Sequence, residues 1–223
     1  MSSLGPPIRH DGRVSVASAQ PERIWAGTTL AARRAARRER LLAAGLDLLG
    51  TQGAAAVTVR SVCRHAQLTD RYFYENFADR AELLLAVFDE VAAQAAAALV
   101  SAAAAAGDEE QAARAAVEAF IDLLTDDPRM GRVLLVEPLT DIVLGTRGIA
   151  LAPMFAQIIR AQLGQLGAAD GADSRAALVA TAMVGALANL FIRWLDGSET
   201  ASRDELVEFC VQLLVTTAPL ARG

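Results

Sequence analysis

The stretch TVRSVCRHAQLTDRYFYENFADRAELLLAVFDE, Thr58–Glu90, decides the fold. Thr58 starts a short helix with Val59, Val62 and Cys63 on one side, running through His65. Ala66-Gln67-Leu68 is a turn, and Thr69 caps the next helix with Asp70 at its positive N-terminus. That second helix buries Phe73 and Phe77. Asp79-Arg80-Ala81-Glu82 then opens a long helix in the manner of a capping box, ending before Gly107 at about 40 Å. Two short helices joined by a tight turn, with a second helix that is polar outside, make a helix-turn-helix. Val59, Val62, Ala66, Leu68, Phe73 and Phe77 lock the pair together, leaving Arg60, Thr69, Asp70, Arg71, Tyr72, Tyr74 and Asn76 to face outward.

Upstream, a helix is expected from about Thr29 to Gly50, capped by Thr28 or Thr29, with Leu41, Leu42, Gly45, Leu48 and Leu49 at helical spacing. Arg33, Arg34, Arg37, Arg38 and Arg40 crowd its first half. Residues 1–23 combine Gly, Pro and small polar residues without periodicity and read as a flexible arm carrying Arg9 and Arg13. All 21 basic residues are arginine. Residues 1–80 hold 12 Arg against 7 acids, whereas residues 81–223 hold 9 against 19, so a net charge of −5 hides a basic first third. A basic head on an acidic body implies that only the head meets a polyanion. Arg can bond guanine bidentately, Asn adenine, and Tyr or Thr hydroxyls phosphate oxygens. Arg80 and the arginines of the first helix are expected to add charge near the phosphates, with salt-sensitive affinity.

Beyond Gly107 the helices expected are 109–125, 128–137, 141–166, 173–196 and 202–218, with Pro153 kinking or splitting the third. The fold class is all-α: an arm at 1–23, a three-helix helix-turn-helix domain at 24–79, and a larger helical domain at 80–223 for ligand binding and dimerisation. Ala176–Ile192 carries no charge, and Leu206–Val215 shows two apolar stripes. Helices apolar on two faces fit a core on one side and a symmetry mate on the other, so 173–196 and 202–218 are the expected homodimer contact. Phe120, Leu124, Leu134, Phe155 and Met183 are candidate linings of a ligand pocket. Glu137 and Asn189, in apolar surroundings, could orient a ligand or be satisfied by backbone.

Other chemistries find little footing. Cys63 and Cys210 are too isolated for a disulfide framework or a zinc site, and no metal or cofactor is expected. His10 lies in the arm and His65 at a helix end, so no histidine-based triad is available; no phosphate-cradling glycine loop appears, and an enzyme is not expected. The chain does not open like a signal peptide. Val91–Ala106 is mostly alanine and Ala176–Ile192 is short, so both read as buried helices of a cytoplasmic protein rather than membrane spans.

The same stretch resembles the N-terminal signature of the tetracycline-repressor (TetR) family, in Tyr74, Phe77, a basic residue at 80, and Leu83-Leu84. RRAARRERLLAAGLDLLGTQG, Arg33–Gly53, is similar to that family's first helix. The resemblance implies a homodimeric repressor on a palindromic operator, released when a small effector bound by the C-terminal domain swings the fourth helix. It places DNA contacts at Thr58, Arg60, Thr69, Asp70, Arg71, Tyr72, Tyr74, Asn76 and Arg80. Two residues depart from the pattern. Gln67 stands where the family usually has Gly, and a left-handed Gln costs about 1 kcal/mol. Asp70 stands where a basic or neutral residue is common, and repels phosphate unless it meets a cytosine amino group or pairs with Arg71. The alternative is a helical dimer that binds ligand or protein without reading DNA.

Overall fold

The computed structural model describes residues 29–164 and 174–222. The arm at 1–23, Thr28 and the link between the expected helices 141–166 and 173–196 lie outside the described residues. Among the described residues, all regular structure is helical.

Helix α1, Leu30–Gln52, starts where Thr29 Oγ1 accepts the Ala32 amide at 3.1 Å. It stops at Gly53, whose φ of +87° lies in the region that only glycine enters without cost. A 3₁₀ turn, Ala54–Ala56, leads to α2, Val59–Ala66, and α3, Asp70–Tyr74. Helix α4, Arg80–Ala104, is 25 residues long, about 37 Å at 1.5 Å per residue. Asp79 caps it by accepting the Glu82 amide, while Glu82 reaches back to the Ala78 amide, one residue earlier than a standard capping box.

Helices α5, Glu109–Asp126, and α6, Pro128–Gly131, begin at Asp108 and Asp127, each accepting a first-turn amide. The expected helix 128–137 is not uniform. After α6 the chain widens into a π-helical turn, Arg132–Val136, and tightens into a 3₁₀ turn, Glu137–Leu139. Pro138 lacks an amide and crowds the preceding turn, so the ladder cannot continue through it. Helix α7, Ile142–Gly164, runs through Pro153 without the expected split. Pro153 and Ile149 are both exposed, so the carbonyl that Pro leaves unpaired one turn back faces solvent. Helices α8, Ser174–Leu195, and α9, Arg203–Arg222, complete the bundle.

Two apolar clusters hold the chain together. The first joins Leu41, Leu48 and Leu49 of α1, Val62, Phe73 and Phe77 of the helix-turn-helix, and Leu83, Leu84, Val87, Phe88 and Val91 of α4. It also takes in Met130, Val133 and Leu144, so the core of the head continues into the body. Gly50 permits this junction: a Cβ there would collide with Arg129 Cβ and lie 2.8 Å from its Cα. The second cluster packs Ile121 and Leu124 of α5 with Phe191 of α8 and Leu206, Cys210 and Leu214 of α9.

Candidate nucleic-acid interface and apolar chamber

The reading head is built from its caps upward. Thr58 Oγ1 accepts the Ser61 amide at 3.0 Å, and the Thr58 amide donates to Ser61 Oγ at 2.9 Å. Ser61 Oγ also donates to the Ala56 carbonyl at 2.7 Å, tying the start of α2 to the preceding turn. Gln67 ends α2 in the left-handed conformation, φ 52° and ψ 46°. The turn therefore keeps its shape without glycine, and the Leu68 amide closes it onto the Cys63 carbonyl at 2.9 Å. Thr69 has the extended backbone of a cap, yet its side chain makes no capping hydrogen bond and is exposed. Its hydroxyl is left available to a ligand.

The arginines of α1 do something other than the charge pattern predicts. Arg40 Nη2 donates to the Ala66 carbonyl at 2.5 Å, and Arg34 Nη2 to the Glu75 carbonyl at 2.5 Å. Arg38 reaches the Asn76 carbonyl at 3.4 Å and lies over the Phe77 ring. Arg37 stacks 4.4 Å above the Tyr72 ring and pairs with Glu75. Arg34, Arg38 and Arg40 satisfy orphan carbonyls at the ends of α2 and α3, where the helix dipole is negative. Four of the five expected phosphate partners are thereby internal struts.

The nine residues expected at DNA separate in the same way. Arg60, Thr69, Asp70, Arg71 and Tyr74 are exposed on one head, with Tyr74 at 60%. Arg71 pairs with Glu75 at 3.0 Å and not with Asp70, so of the two ways to neutralise Asp70 the one through Arg71 is not taken. Thr58, though exposed, has its hydroxyl engaged in the cap. Tyr72 is half-buried beneath Arg37. Asn76 Nδ2 donates to the Tyr72 carbonyl at 2.7 Å. Arg80 donates to the Val57 and Ala54 carbonyls, both at 2.6 Å, and pairs with Asp141 at 3.5 Å. Arg80 is thus a clamp between the head and α7. Arg64, which the motif reading passed over, stands one turn after Arg60, exposed and without a partner among the described residues. Its spacing of four from Arg60 was the available signal.

Cys63 lies under α3. Burial first, and then the neighbouring Asp70 carboxylate, push its thiol up to about 11. Burial alone pushes Cys210 up to about 12. Neither thiol has the depressed pKa of a nucleophile. Among the described residues no group of three or more His, Cys, Asp or Glu side chains is placed to hold a metal.

The body encloses a cavity of about 470 Å³ between α4, α5, the 132–139 segment, α7 and α8. Of the pocket candidates, Phe120, Leu134 and Phe155 line it, together with Leu135, Leu187 and Phe191. Every lining side chain is apolar. The other four pocket candidates lie elsewhere. Leu124 is fully buried in the second core, and Met183 is buried where Thr217 Oγ1 meets its sulfur. Asn189 is exposed on the outer face of α8. Glu137 is buried at the head–body junction and takes the Ala54 amide at 2.8 Å and Arg132 Nε at 2.8 Å. A single large residue in an amphipathic helix does not reveal which of two buried faces it occupies, which is why periodicity could not sort them.

The chain thus joins a helix-turn-helix, through its exit helix, to a bundle around an apolar cavity. Residues 41–87 match the family model for bacterial regulatory proteins of the tetR family. With that N-terminal domain, the chain has the fold of the TetR-family transcriptional regulators. The fatty acid degradation regulator FadR from Bacillus halodurans superposes with a TM-score of 0.64 at 16% identity, covering 80% of this chain and 94% of its own. A TetR-like transcriptional regulator from Rhodococcus sp. RHA1 gives 0.61 at 18%, covering 83% and 97%. FadR from Bacillus subtilis, solved with stearoyl-CoA, gives 0.61 at 14%, covering 81% and 96%. No curated protein sequence matches the chain.

Proposed function

We propose that the chain is a cytoplasmic, homodimeric repressor that leaves a palindromic operator when a small, mainly apolar effector enters the cavity. The observation that carries DNA binding is the exposed set Arg60, Arg64, Thr69, Arg71 and Tyr74 on a head where Arg34, Arg37, Arg38, Arg40 and Arg80 are committed internally. Arg60 and Arg64 supply guanidinium groups to base edges or phosphates, and the Tyr74 and Thr69 hydroxyls position the backbone. Asp70 is the specificity element: an exposed carboxylate there accepts from a cytosine amino group and repels other edges. The apolar cavity supports the effector, since a lining without charge favours hydrocarbon over ions. The stearoyl-CoA of the Bacillus subtilis FadR is a ligand with such a chain.

Helices α4 and α8 and residues Ile142–Ala161 have the length and hydropathy to cross a membrane. We read them as bundle helices, because each lines the apolar cavity. On α8, Leu178, Thr181, Ala182, Gly185, Ala186 and Asn189 form one exposed stripe, and a Cβ on Gly185 would meet nothing. Small and apolar residues in a stripe, beside exposed Phe209 and Val215 of α9, suit an isologous contact with a second copy. The test is titration onto the DNA upstream of its own gene at several salt concentrations. Preference over random DNA that weakens steeply with salt is expected. Arg60→Ala should relax sequence preference, while Tyr74→Phe should weaken all sequences alike. Equal affinity for both DNAs would sink the repressor reading in favour of a ligand- or protein-binding dimer.

A further inference from the structure

The segment 132–139 has two faces with different partners. Leu134, Leu135, Pro138 and Leu139 line the cavity. Between them Glu137, the only buried charged residue among those described, points to the head. Its Oε2 accepts the Ala54 amide at 2.8 Å, 83 residues away in sequence, and its Oε1 accepts Arg132 Nε at 2.8 Å. Arg132 Nη1 in turn donates to the Thr51 carbonyl at 3.1 Å. Ala54 is also held from α4, through Arg80 and its carbonyl. The strut thus ends on the 3₁₀ turn whose Ala56 carbonyl anchors the capping Ser61 of α2. Pro138 and Leu139 share one 3₁₀ turn with Glu137, and Leu139 is 70% exposed at the cavity mouth.

We infer that Glu137 is a relay: a ligand wedged against Leu134, Leu135 and Leu139 pulls its carboxylate off the Ala54 amide and frees the 51–57 segment that positions the reading head. The inference rests on the cavity being the effector site. The segment is suited to the task physically. A π-helical turn followed by a 3₁₀ turn has imperfect hydrogen bonding and shifts register more readily than a regular helix. A carboxylate held by one ion pair and one amide is an all-or-none contact, because a half-broken buried strut leaves a donor unsatisfied. Coupling through such an element is reciprocal: if ligand breaks the strut, a chain without the strut binds that ligand more tightly. A residue that only stabilised the fold would not have this effect.

The test uses the full chain and the neutral apolar fluorophore N-phenyl-1-naphthylamine, with its emission reporting cavity occupancy and hydrogen exchange reporting the Ala54 amide. In the parent protein, saturation with the fluorophore should speed Ala54 exchange by about tenfold, since exchange follows the open fraction. Glu137→Ala should exchange fast without fluorophore, show no further response, and bind the fluorophore about threefold tighter or more, by linkage. Glu137→Gln, which keeps an oxygen for the Ala54 amide, should restore part of the protection and part of the response. If Glu137→Ala does not fold, Arg132→Ala decides, with at least about half the fluorophore response lost once the carboxylate is untethered. Emission that rises while Ala54 exchange stays constant overturns the relay alone. So does a Glu137→Ala or Arg132→Ala protein that responds as the parent does. Emission that does not rise overturns the effector reading of the cavity, and the relay with it.

Discussion

Gln67 shows how a single backbone angle survives an unfavourable residue. Its φ of 52° is the only positive value among described non-glycine residues, and the turn around it is closed by Leu68 and held by Arg40. The surrounding bonds over-determine the conformation, so the side-chain strain is tolerated. Gln67→Gly should therefore raise stability by about 0.5–1 kcal/mol, read as a higher urea midpoint at unchanged slope. A lower midpoint would mean that the Gln side chain contributes contacts that outweigh its strain. The cysteines give a second expectation. Their thiols are raised to about 11 and about 12 in the folded chain, above the ordinary value of 9.0. Below pH 9 both states hold these protons; above it the unfolded chain releases them first. Stability should thus fall as pH rises from 9 through 11 and 12, and replacing both cysteines with Ala should flatten that decline in urea melts.

Among the elements, α1 carries more of the head than its sequence discloses. Its apolar side matches expectation, with Leu41, Leu48 and Leu49 buried. Its basic side is a row of caps for α2 and α3, because those short helices leave carbonyls that no later turn satisfies. The five-residue α3 could not stand alone, since helices so short lack the bonds to repay nucleation. Arg40→Ala should lower the melting temperature and DNA affinity together, whereas Arg60→Ala should change DNA affinity alone; equal melting temperatures for the two would refute the capping role. Gly50 places α1 against α6 at a separation no side chain fits. Gly50→Ala should cost about 1–3 kcal/mol by overpacking, the mechanism being displacement of Arg129 backbone and not loss of helix propensity. A variant as stable as the parent in chemical denaturation would show that the junction yields.

For the whole molecule, the division of charge and the division of burial follow different lines. The basic first third contains the head, on which Arg60, Arg64 and Arg71 are exposed. Its apolar core, however, runs on through α4 into Met130, Val133 and Leu144, so head and body are mechanically one unit. Three bridges reinforce that union: Glu137 to Ala54, Arg80 to Asp141, and Arg129 to Asp47. On α8 and α9, Leu178 is 69% exposed and Phe209 54%, side chains that a lone chain would leave in water. On the proposed contact through α8 and α9, Phe209→Glu should lower the sedimentation coefficient below that of the parent without altering helix content, because a carboxylate placed at a two-fold contact is buried, unpaired and repeated on its mate. Unchanged sedimentation would refute a two-fold contact through Phe209.

Short-range chemistry was enough to establish the helix-turn-helix at 58–77 and the helices around it. Capping residues, apolar periodicity and turn residues act within a few positions of one another, so their meaning is local. The Gly-less turn at Gln67 and the exposure of Arg60 and Tyr74 followed from the same rules. Which polar groups remain free did not. Arg80 and the arginines of α1 look like ligands for phosphate until carbonyls from other segments arrive beside them. Whether Glu137 orients a ligand or is satisfied by backbone stayed open until the Ala54 amide met it from 83 residues away. Asn189 and Phe155 sit on similar apolar helices, yet one faces outward and the other a cavity. Those assignments depend on how helices cross, which is decided by packing between distant parts of the chain.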